Sequence, residues 1–244
     1  MEKHIYKTKE EMGAAAATEA ARSIKGAIVN KSEANIILAT GTSQFETLKN
    51  LVAAEGIEWS KVTMFHLDEY IGLAADHPAS FRKFLKEQFV DKVLGLNAVH
   101  FVDGNAQDPQ QECKRLGDII AKHPIDVALV GIGENGHLAF NDPPADFQTE
   151  DAYIIVELDE KCREQQLGEG WFESLEQVPR RAISMSIRQI MKSACVIVSV
   201  PERRKAEAVA SAVQGPITPM HPASILRQHS NCKIFLDEDA ASLL

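Results

Sequence analysis

A short apolar run followed by a glycine-rich loop constrains this chain more strongly than any other feature. Residues 125–130 are almost continuously apolar, which is typical of a strand buried on both faces of a parallel sheet. Residues 131–137 then contain three glycines and end in His137. Glycine at a strand end permits positive φ angles and lets a ligand approach the backbone closely. Because ligands of open α/β sheets bind at such edges, this loop predicts a binding site that includes His137.

Predicted strands and helices alternate along the rest of the chain. Strand patterns occupy 34–39, 62–67, 98–102, 153–158, 182–187, 195–200 and 232–236. Helical patterns occupy 8–30, 78–93, 108–122 and 202–214, and a further helix begins at Gln44. We find no internal repeat and no domain boundary, so we expect a single domain over residues 1–244. The alternation predicts an α/β fold with a mostly parallel sheet sandwiched by helices.

Charge and cysteine content narrow the class of protein. The chain has 26 Lys and Arg against 35 Asp and Glu, a net charge of −9, so no general basic field attracts nucleic acid or an anionic membrane. No apolar run approaches the roughly 20 residues needed to cross a bilayer. The four cysteines are widely spaced, as expected of reduced thiols. We therefore expect a cytoplasmic protein without a nucleic-acid or membrane partner, and the sequence leaves a homo-oligomer open.

Polar side chains follow three other predicted strands where each one ends. Residues 40–43 (Thr-Gly-Thr-Ser) lie between a strand and a helix, where free N–H groups and hydroxyls suit phosphate oxygens. Asp68 and Glu69 follow the second strand, and the basic turn 203–205 follows a later one. Taken singly, each pattern also has a plainer interpretation. Residues 40–43 fit a helix cap, Asp68 and Glu69 fit a solvated acidic turn, and residues 203–205 fit a solvated basic turn.

Together these strand ends predict proton transfer on a small phosphorylated substrate. A carboxylate such as Asp68 can take a proton from a carbon next to a carbonyl group. An imidazole, whose ordinary pKa lies near neutrality, lets His137 move a proton on and off a sugar oxygen. Neither task needs a metal, and the sequence lacks the His-x-His and His-Glu-x-x-His patterns, so we expect no metal site.

Several motifs resemble those of a known family over nearly the whole chain. They are Phe-His-Leu-Asp-Glu-Tyr at 65–70, His-Pro at 77–78 with Ser80, Asp-Gly-Asn-Ala at 103–106, Glu-Cys at 112–113 and, above all, the glycine-rich segment 131–143. With these motifs the chain resembles the glucosamine-6-phosphate deaminases, relatives of the 6-phosphogluconolactonases. The resemblance implies a modified Rossmann-like sheet. It also implies cofactor-free conversion of glucosamine 6-phosphate and water into fructose 6-phosphate and ammonia.

The resemblance also implies roles for individual residues. Asp68 would shuttle a proton between C2 and C1, and His137 would open the sugar ring. Asn135 and Asp142 would orient and tune that imidazole. The positions that the resemblance assigns to substrate and phosphate binding are Thr40, Gly41, Thr42, Ser43, Glu69, Gly136 and Lys205.

The sequence departs from the family at the phosphate loop and in the predicted flap, residues 159–179. Thr42 stands where the family commonly has glycine. Gly170 and Trp171 stand where an arginine is usual, so substrate phosphate is expected to meet Arg163, Arg203 or Arg204 instead. Three alternatives stay open from the sequence. They are a galactosamine-6-phosphate deaminase, a 6-phosphogluconolactonase and a sugar-phosphate sensor without catalysis.

Overall fold

The computed structural model describes residues 1–244 and contains ten strands in two sheets. The strands are β1 (Glu2–Tyr6), β2 (Ala34–Leu38), β3 (Val62–His66), β4 (Asp68–Tyr70), β5 (Ala98–His100), β6 (Val127–Val130), β7 (Tyr153–Glu157), β8 (Arg181–Met185), β9 (Cys195–Val200) and β10 (Cys232–Asp237). Seven of them form the central sheet in the order β1-β10-β9-β6-β2-β3-β5, with every neighbouring pair parallel. The other three form a small antiparallel sheet in the order β4-β8-β7.

Seven α-helices connect the strands. They are α1 (Lys9–Lys31), α2 (Phe45–Val52), α3 (Phe81–Leu85), α4 (Pro109–Ile120), α5 (Glu160–Gly168), α6 (Ile187–Met191) and α7 (Ala206–Gln214). Several begin at side-chain caps that the sequence supplies: Thr8 accepts a hydrogen bond from Glu11 N at the start of α1, and Asp108 accepts two at the start of α4. No helix is both long enough and apolar enough to cross a membrane.

Two hydrophobic clusters cover opposite faces of the central sheet. Because side chains alternate along a strand, Val127 and Leu129 of β6 join one cluster while Ala128 and Val130 join the other. The first cluster contains α1 and α2 side chains, and the second contains side chains of α4, α6 and α7. This arrangement confirms the predicted α/β fold, a mostly parallel Rossmann-like sheet between helical layers.

The sequence patterns missed or misplaced four features. β1 is mostly exposed and charged, so its pattern lacks the apolar residues that revealed the buried strands. β4 has three residues, too few for a periodic signal, and the pattern placed it in a turn. The predicted helix 78–93 begins at Phe81 and changes to a π-helical turn over Lys86–Val90. The predicted helix 202–214 begins with a 3-10 turn, Arg203–Lys205, before α7.

The flap (159–179) has regular structure of its own. It contains α5 and a 3-10 turn, Leu175–Gln177. Arg163 donates hydrogen bonds to the carbonyls of Leu175 and Val178, which ties α5 to the end of the flap. A cluster of nine buried residues, centred on Tyr70, packs the flap against the small sheet and α3.

Candidate active site

The carboxyl ends of four adjacent strands, β9, β6, β2 and β3, meet at one edge of the central sheet. A cleft lies at this edge. Of the sequence-predicted site residues, the cleft brings together Thr40, Thr42, Ser43, Asp68, His137 and Lys205. Parallel strands place all their carboxyl ends on one side, which is why segments far apart in sequence converge here.

Asp68 is the acidic group of the cleft. It begins β4, separated from the end of β3 by a single residue, and only 4% of Asp68 is exposed. Burial raises the pKa of Asp68 well above its usual value, and the negative charge of the neighbouring Glu69 raises it further. Because a carboxylate with a raised pKa is a stronger base, this environment favours proton abstraction once the group is ionised.

Glu69 does not line the cleft, and its contact with substrate stays a prediction. Alternation along β4 sends its side chain to the face opposite Asp68. There the carboxylate accepts hydrogen bonds from Ser80 Oγ (2.9 Å) and from the backbone N–H groups of Tyr70, Phe81 and Arg82. The donors from Ser80, Phe81 and Arg82 lie at the N-terminus of α3, where an anion is favourable. Glu69 therefore anchors α3.

His137 is held by a hydrogen-bonded network behind the cleft. Its Nδ1 lies 2.9 Å from Asp142 Oδ1, which also accepts a hydrogen bond from Asn135 Nδ2 at 2.9 Å. Asn135 Oδ1 in turn accepts from the backbone N–H of His137 at 3.1 Å. The imidazole rests directly on Gly133, where a Cβ atom would overlap the ring. Asn135 and Asp142 therefore contact His137 from outside the cleft and fix its ring.

The network keeps Asp142 ionised. Burial alone would raise the pKa of this carboxyl, but the hydrogen bond and charge of His137, together with donors from Asn135 and Asp159 N, outweigh it. The net pKa of Asp142 lies below its usual value. A carboxylate on Nδ1 favours the proton on that nitrogen and leaves Nε2 to face the cleft.

The phosphate-loop residues and Lys205 form one end of the cleft. Gly41 has a φ of 90°, which glycine adopts without strain, and Thr42 begins a 3-10 turn without a positive φ. The substitution of the family's glycine by Thr42 is therefore accommodated. Lys205 is 4% exposed, and burial lowers its pKa to about 8, an effect that nearby Glu169 opposes. The conformation of the loop and the buried Lys205 beside it both suit the binding of an anion.

Gly136 does not line the cleft either, and its part in substrate binding stays a prediction. It has a φ of 86° and donates its N–H to the carbonyl of Gly133 at 3.0 Å. Gly133 N in turn donates to the carbonyl of His137 at 3.0 Å. The glycine therefore allows the tight turn that returns His137 to the cleft. His66, which alternates with Asp68 in sequence, also points elsewhere and is fully buried, which lowers its pKa to about 3.

Sequence reasoning missed three side chains that line the cleft from the flap. Gln165, Gln166 and Glu169 all come from α5 or the residue after it. Tyr70 Oη donates to Gln166 Oε1 at 2.8 Å, and Glu134 N donates to Gln165 Oε1 at 2.8 Å. The segment is polar on all sides, so no periodic pattern marked one face as functional. Only the prediction of a flap pointed to this region.

One group of side chains near the site has the composition of a metal site. His137, Asp142 and Cys162 offer ligand atoms within 4.8 Å of one another. Burial, reinforced by the charge of Asp142, raises the pKa of the Cys162 thiol well above its usual value.

Fold and site together define a Rossmann-like α/β protein whose sheet edge carries an acid, an imidazole and a hydroxyl-rich loop. The chain belongs to the family described as glucosamine-6-phosphate isomerases/6-phosphogluconolactonase, whose family model matches residues 7–235. A glucosamine-6-phosphate deaminase of Clostridium acetobutylicum is 36% identical over 230 residues, which cover 92% of this chain and 94% of the relative. A glucosamine-6-phosphate deaminase of Streptococcus uberis is 39% identical over 210 residues, covering 85% and 86%.

Solved structures give the same assignment of fold. A monomeric glucosamine-6-phosphate deaminase matches all of this chain and all of its own with a TM-score of 0.89 at 31% identity. A 6-phosphogluconolactonase from Trypanosoma brucei matches 100% of this chain and 98% of its own with a TM-score of 0.81 at 18% identity. The second match shows a shared fold.

Proposed function

We propose that this protein is a glucosamine-6-phosphate deaminase, which converts glucosamine 6-phosphate and water into fructose 6-phosphate and ammonia. The observation that carries the proposal is the shared cleft of Asp68, His137 and the phosphate-loop residues. The identity of 34–39% to proteins named for this activity supports the same reaction. The lactonases match at 13–20% identity, so they support the fold alone.

The reaction begins with ring opening, which is the proposed role of His137. Nε2 of the imidazole carries a proton to and from the ring oxygen, while Asp142 holds Nδ1 on the opposite side. Because Asn135 and Asp142 fix the ring, the imidazole is already aligned when the sugar binds. The open chain then carries an aldehyde at C1 and an amine at C2.

Asp68 is proposed to move the proton that converts the aldose into a ketose. Its carboxylate removes the C2 proton and returns it to C1. The aldehyde oxygen takes up a proton to become the C1 hydroxyl and the nitrogen gives one up, so that the C2–N bond becomes an imine. Water adds to this imine carbon, and ammonia leaves as the C2 ketone forms. No net oxidation occurs, and all atoms of sugar and water are accounted for in fructose 6-phosphate and ammonia.

The phosphate group is proposed to lie at the end of the cleft formed by Thr40, Gly41, Thr42, Ser43 and Lys205. The first N–H groups of a helical turn have no partner within the turn, so the turn that begins at Thr42 offers donors to phosphate oxygens. The ammonium of Lys205 supplies a positive charge without leaving the protein interior.

The experiment that tests the proposal is a parallel assay of three substrates. Purified protein is incubated with glucosamine 6-phosphate, galactosamine 6-phosphate or 6-phosphogluconolactone, and ammonia, fructose 6-phosphate and lactone hydrolysis are measured. We expect ammonia and fructose 6-phosphate in equal amounts from the gluco sugar. Hydrolysis of the lactone without ammonia release would assign the protein to the lactonases, and preference for the galacto sugar would change the assigned substrate.

A further inference from the structure

Glu169, at the end of α5, is a carboxylate buried over the phosphate loop. Its side chain is only 5% exposed. Oε1 accepts a hydrogen bond from Gln165 Nε2 at 3.0 Å, whereas Oε2 is buried without any hydrogen-bond partner. Oε2 lies 3.9 Å from the position that a Cβ on Gly41 would occupy. A carboxylate oxygen that is buried and unpaired is costly, so this position calls for an explanation.

Arg204 connects Glu169 with the same loop. Its Nη2 donates to Thr42 Oγ1 at 3.1 Å and lies 3.6 Å from Glu169 Oε1. Its other donors contact Glu134 at 2.8 Å and Glu202 at 2.7 Å. One guanidinium therefore serves three carboxylates and a hydroxyl of the phosphate loop. Of the two remaining candidates, Arg163 is bonded to the flap backbone and Arg203 is exposed outside the cleft.

We propose that Glu169 occupies the place of the substrate's phosphate group in the ligand-free protein, and that Arg204 exchanges Glu169 for phosphate on binding. The inference rests on the proposed function, because it takes the loop as a phosphate site. Lys205 and the hydroxyls of the loop line this end of the cleft beside Glu169, and Arg204 contacts both Thr42 and Glu169, yet Glu169 Oε2 is hydrogen-bonded to none of them. Phosphate carries more charge and three acceptor oxygens, so it matches these donors better than one carboxylate does.

The exchange requires the flap to move. Two anions beside the same loop repel each other strongly and compete for Arg204, so the end of α5 must carry Glu169 out when phosphate enters. Glu169 therefore lowers the affinity of the site for any phosphate. A phosphorylated ligand binds only if its contacts with the cleft are strong enough to displace Glu169. The side chain would act as a selectivity threshold for the cleft.

The test compares Glu169→Gln with Glu164→Gln, which removes an exposed charge from the same helix. Binding of inorganic phosphate is measured by calorimetry at low ionic strength. We expect Glu169→Gln to bind phosphate about 5- to 20-fold more tightly than the unmodified protein, because the competing charge is gone. Glu164→Gln should stay within about 2-fold, since an exposed charge is screened. Equal or weaker binding by Glu169→Gln would overturn the proposal.

Kinetics with glucosamine 6-phosphate separate this inference from the proposed function. A lower KM for Glu169→Gln with a nearly unchanged kcat supports the exchange, whereas a raised KM would place Glu169 on the substrate amine and overturn it. If the amino sugar is not turned over while phosphate binds Glu169→Gln more tightly, the proposed function fails and the exchange stands. If the amino sugar is deaminated while the phosphate affinity of Glu169→Gln is unchanged, the exchange fails and the proposed function stands.

Arg204→Gln completes the test. If Arg204 passes to phosphate, the substitution should weaken phosphate binding more in the Glu169→Gln background than in the unmodified protein. In the unmodified protein, Arg204→Gln also removes the contact that holds Glu169 beside the loop. Glu169 then competes less with phosphate, and this offsets part of the loss of phosphate affinity. Equal losses in both backgrounds would show that Arg204 and Glu169 act independently and would contradict the exchange.

Discussion

The two walls of the cleft differ in how they are built. The sheet wall carries Asp68, His137 and Lys205 on segments that follow strands of the central sheet, and clusters of 32 and 24 buried residues support that sheet. The flap wall carries Gln165 and Glu169 on a short polar helix that a cluster of nine buried residues packs against the rest. The deeper packing fixes groups that must be aligned, and the thinner packing suits groups that must move. We expect substitutions of Asp68 and His137 to alter chemistry, substitutions of Lys205 to alter substrate binding and those in the flap wall to alter access.

Asp68→Asn should produce the largest effect and tests the sheet wall directly. We expect kcat to fall by about 10³-fold or more, because an amide cannot accept the C2 proton. In the unmodified protein, kcat/KM should fall as the pH decreases through the raised pKa of Asp68, above the range of an exposed carboxyl. Steady-state kinetics across pH measure both effects. Asp76→Asn, which changes an exposed carboxyl in the following loop, is the matched control, and full activity of Asp68→Asn would remove this residue as the base.

Lys205→Met should mainly weaken substrate binding. Loss of the buried ammonium is expected to raise KM about 10- to 100-fold with a smaller change in kcat. Because the pKa of Lys205 is lowered to about 8, KM of the unmodified protein should rise as the pH increases through that value and the charge is lost. Arg203→Met, which removes the charge of an exposed neighbour, is the control. A KM that stays constant for Lys205→Met would place the phosphate elsewhere.

Asp159→Asn tests the junction between the two walls. Asp159 caps α5 through Cys162 N, accepts from Asn135 Nδ2 at 3.1 Å, and donates its own N–H to Asp142 at 3.0 Å. Asparagine can keep the cap but presents an amide to Asn135. We expect kcat to fall about 2- to 10-fold, with faster hydrogen exchange of α5 amides than of β6 amides. Unchanged hydrogen exchange in α5 together with a loss of kcat would mean that the effect on kcat does not pass through the flap.

The smallest expected effect is a gain in stability on Asp68→Asn. A carboxyl whose pKa is raised on folding stabilises the protein below its unfolded pKa, and this contribution is lost as the pH rises through the folded pKa. The neutral amide avoids the buried charge, so the Tm should rise at pH 8 and change little at pH 4. Each kcal/mol relieved corresponds to about 2–4 °C in a protein of this size. Thermal unfolding at both pH values measures the difference, and a drop in Tm at pH 8 would show that the ionised group is stabilised after all.

The sequence predicted the sheet wall well because its signals are local and strong. Apolar runs mark strands buried on both faces, and parallel strands necessarily bring their carboxyl ends together. Asp68 and His137 could therefore be placed in one cleft from the order of the strands alone. The direction of the Glu69 side chain could not be predicted, because three residues of β4 are too few to reveal a strand whose alternation turns that side chain away.

The flap wall could not be predicted in the same way. Gln165, Gln166 and Glu169 belong to a segment that is polar on every side, so no face of α5 is distinguished by its sequence. Their contacts depend on how the flap folds back over the cleft, which is a long-range property. Gly136 illustrates the same limit, because a glycine in a functional loop serves either a ligand or a turn, and only the fold decides between them.

The contact between the His137 ring and the bare Cα of Gly133 has a consequence for how the protein can change. Any side chain at position 133 would push the imidazole out of line, so this position is closed to substitution even though glycine itself takes no part in chemistry. In return, the ring has little freedom left to lose when a sugar arrives, because folding has already ordered it.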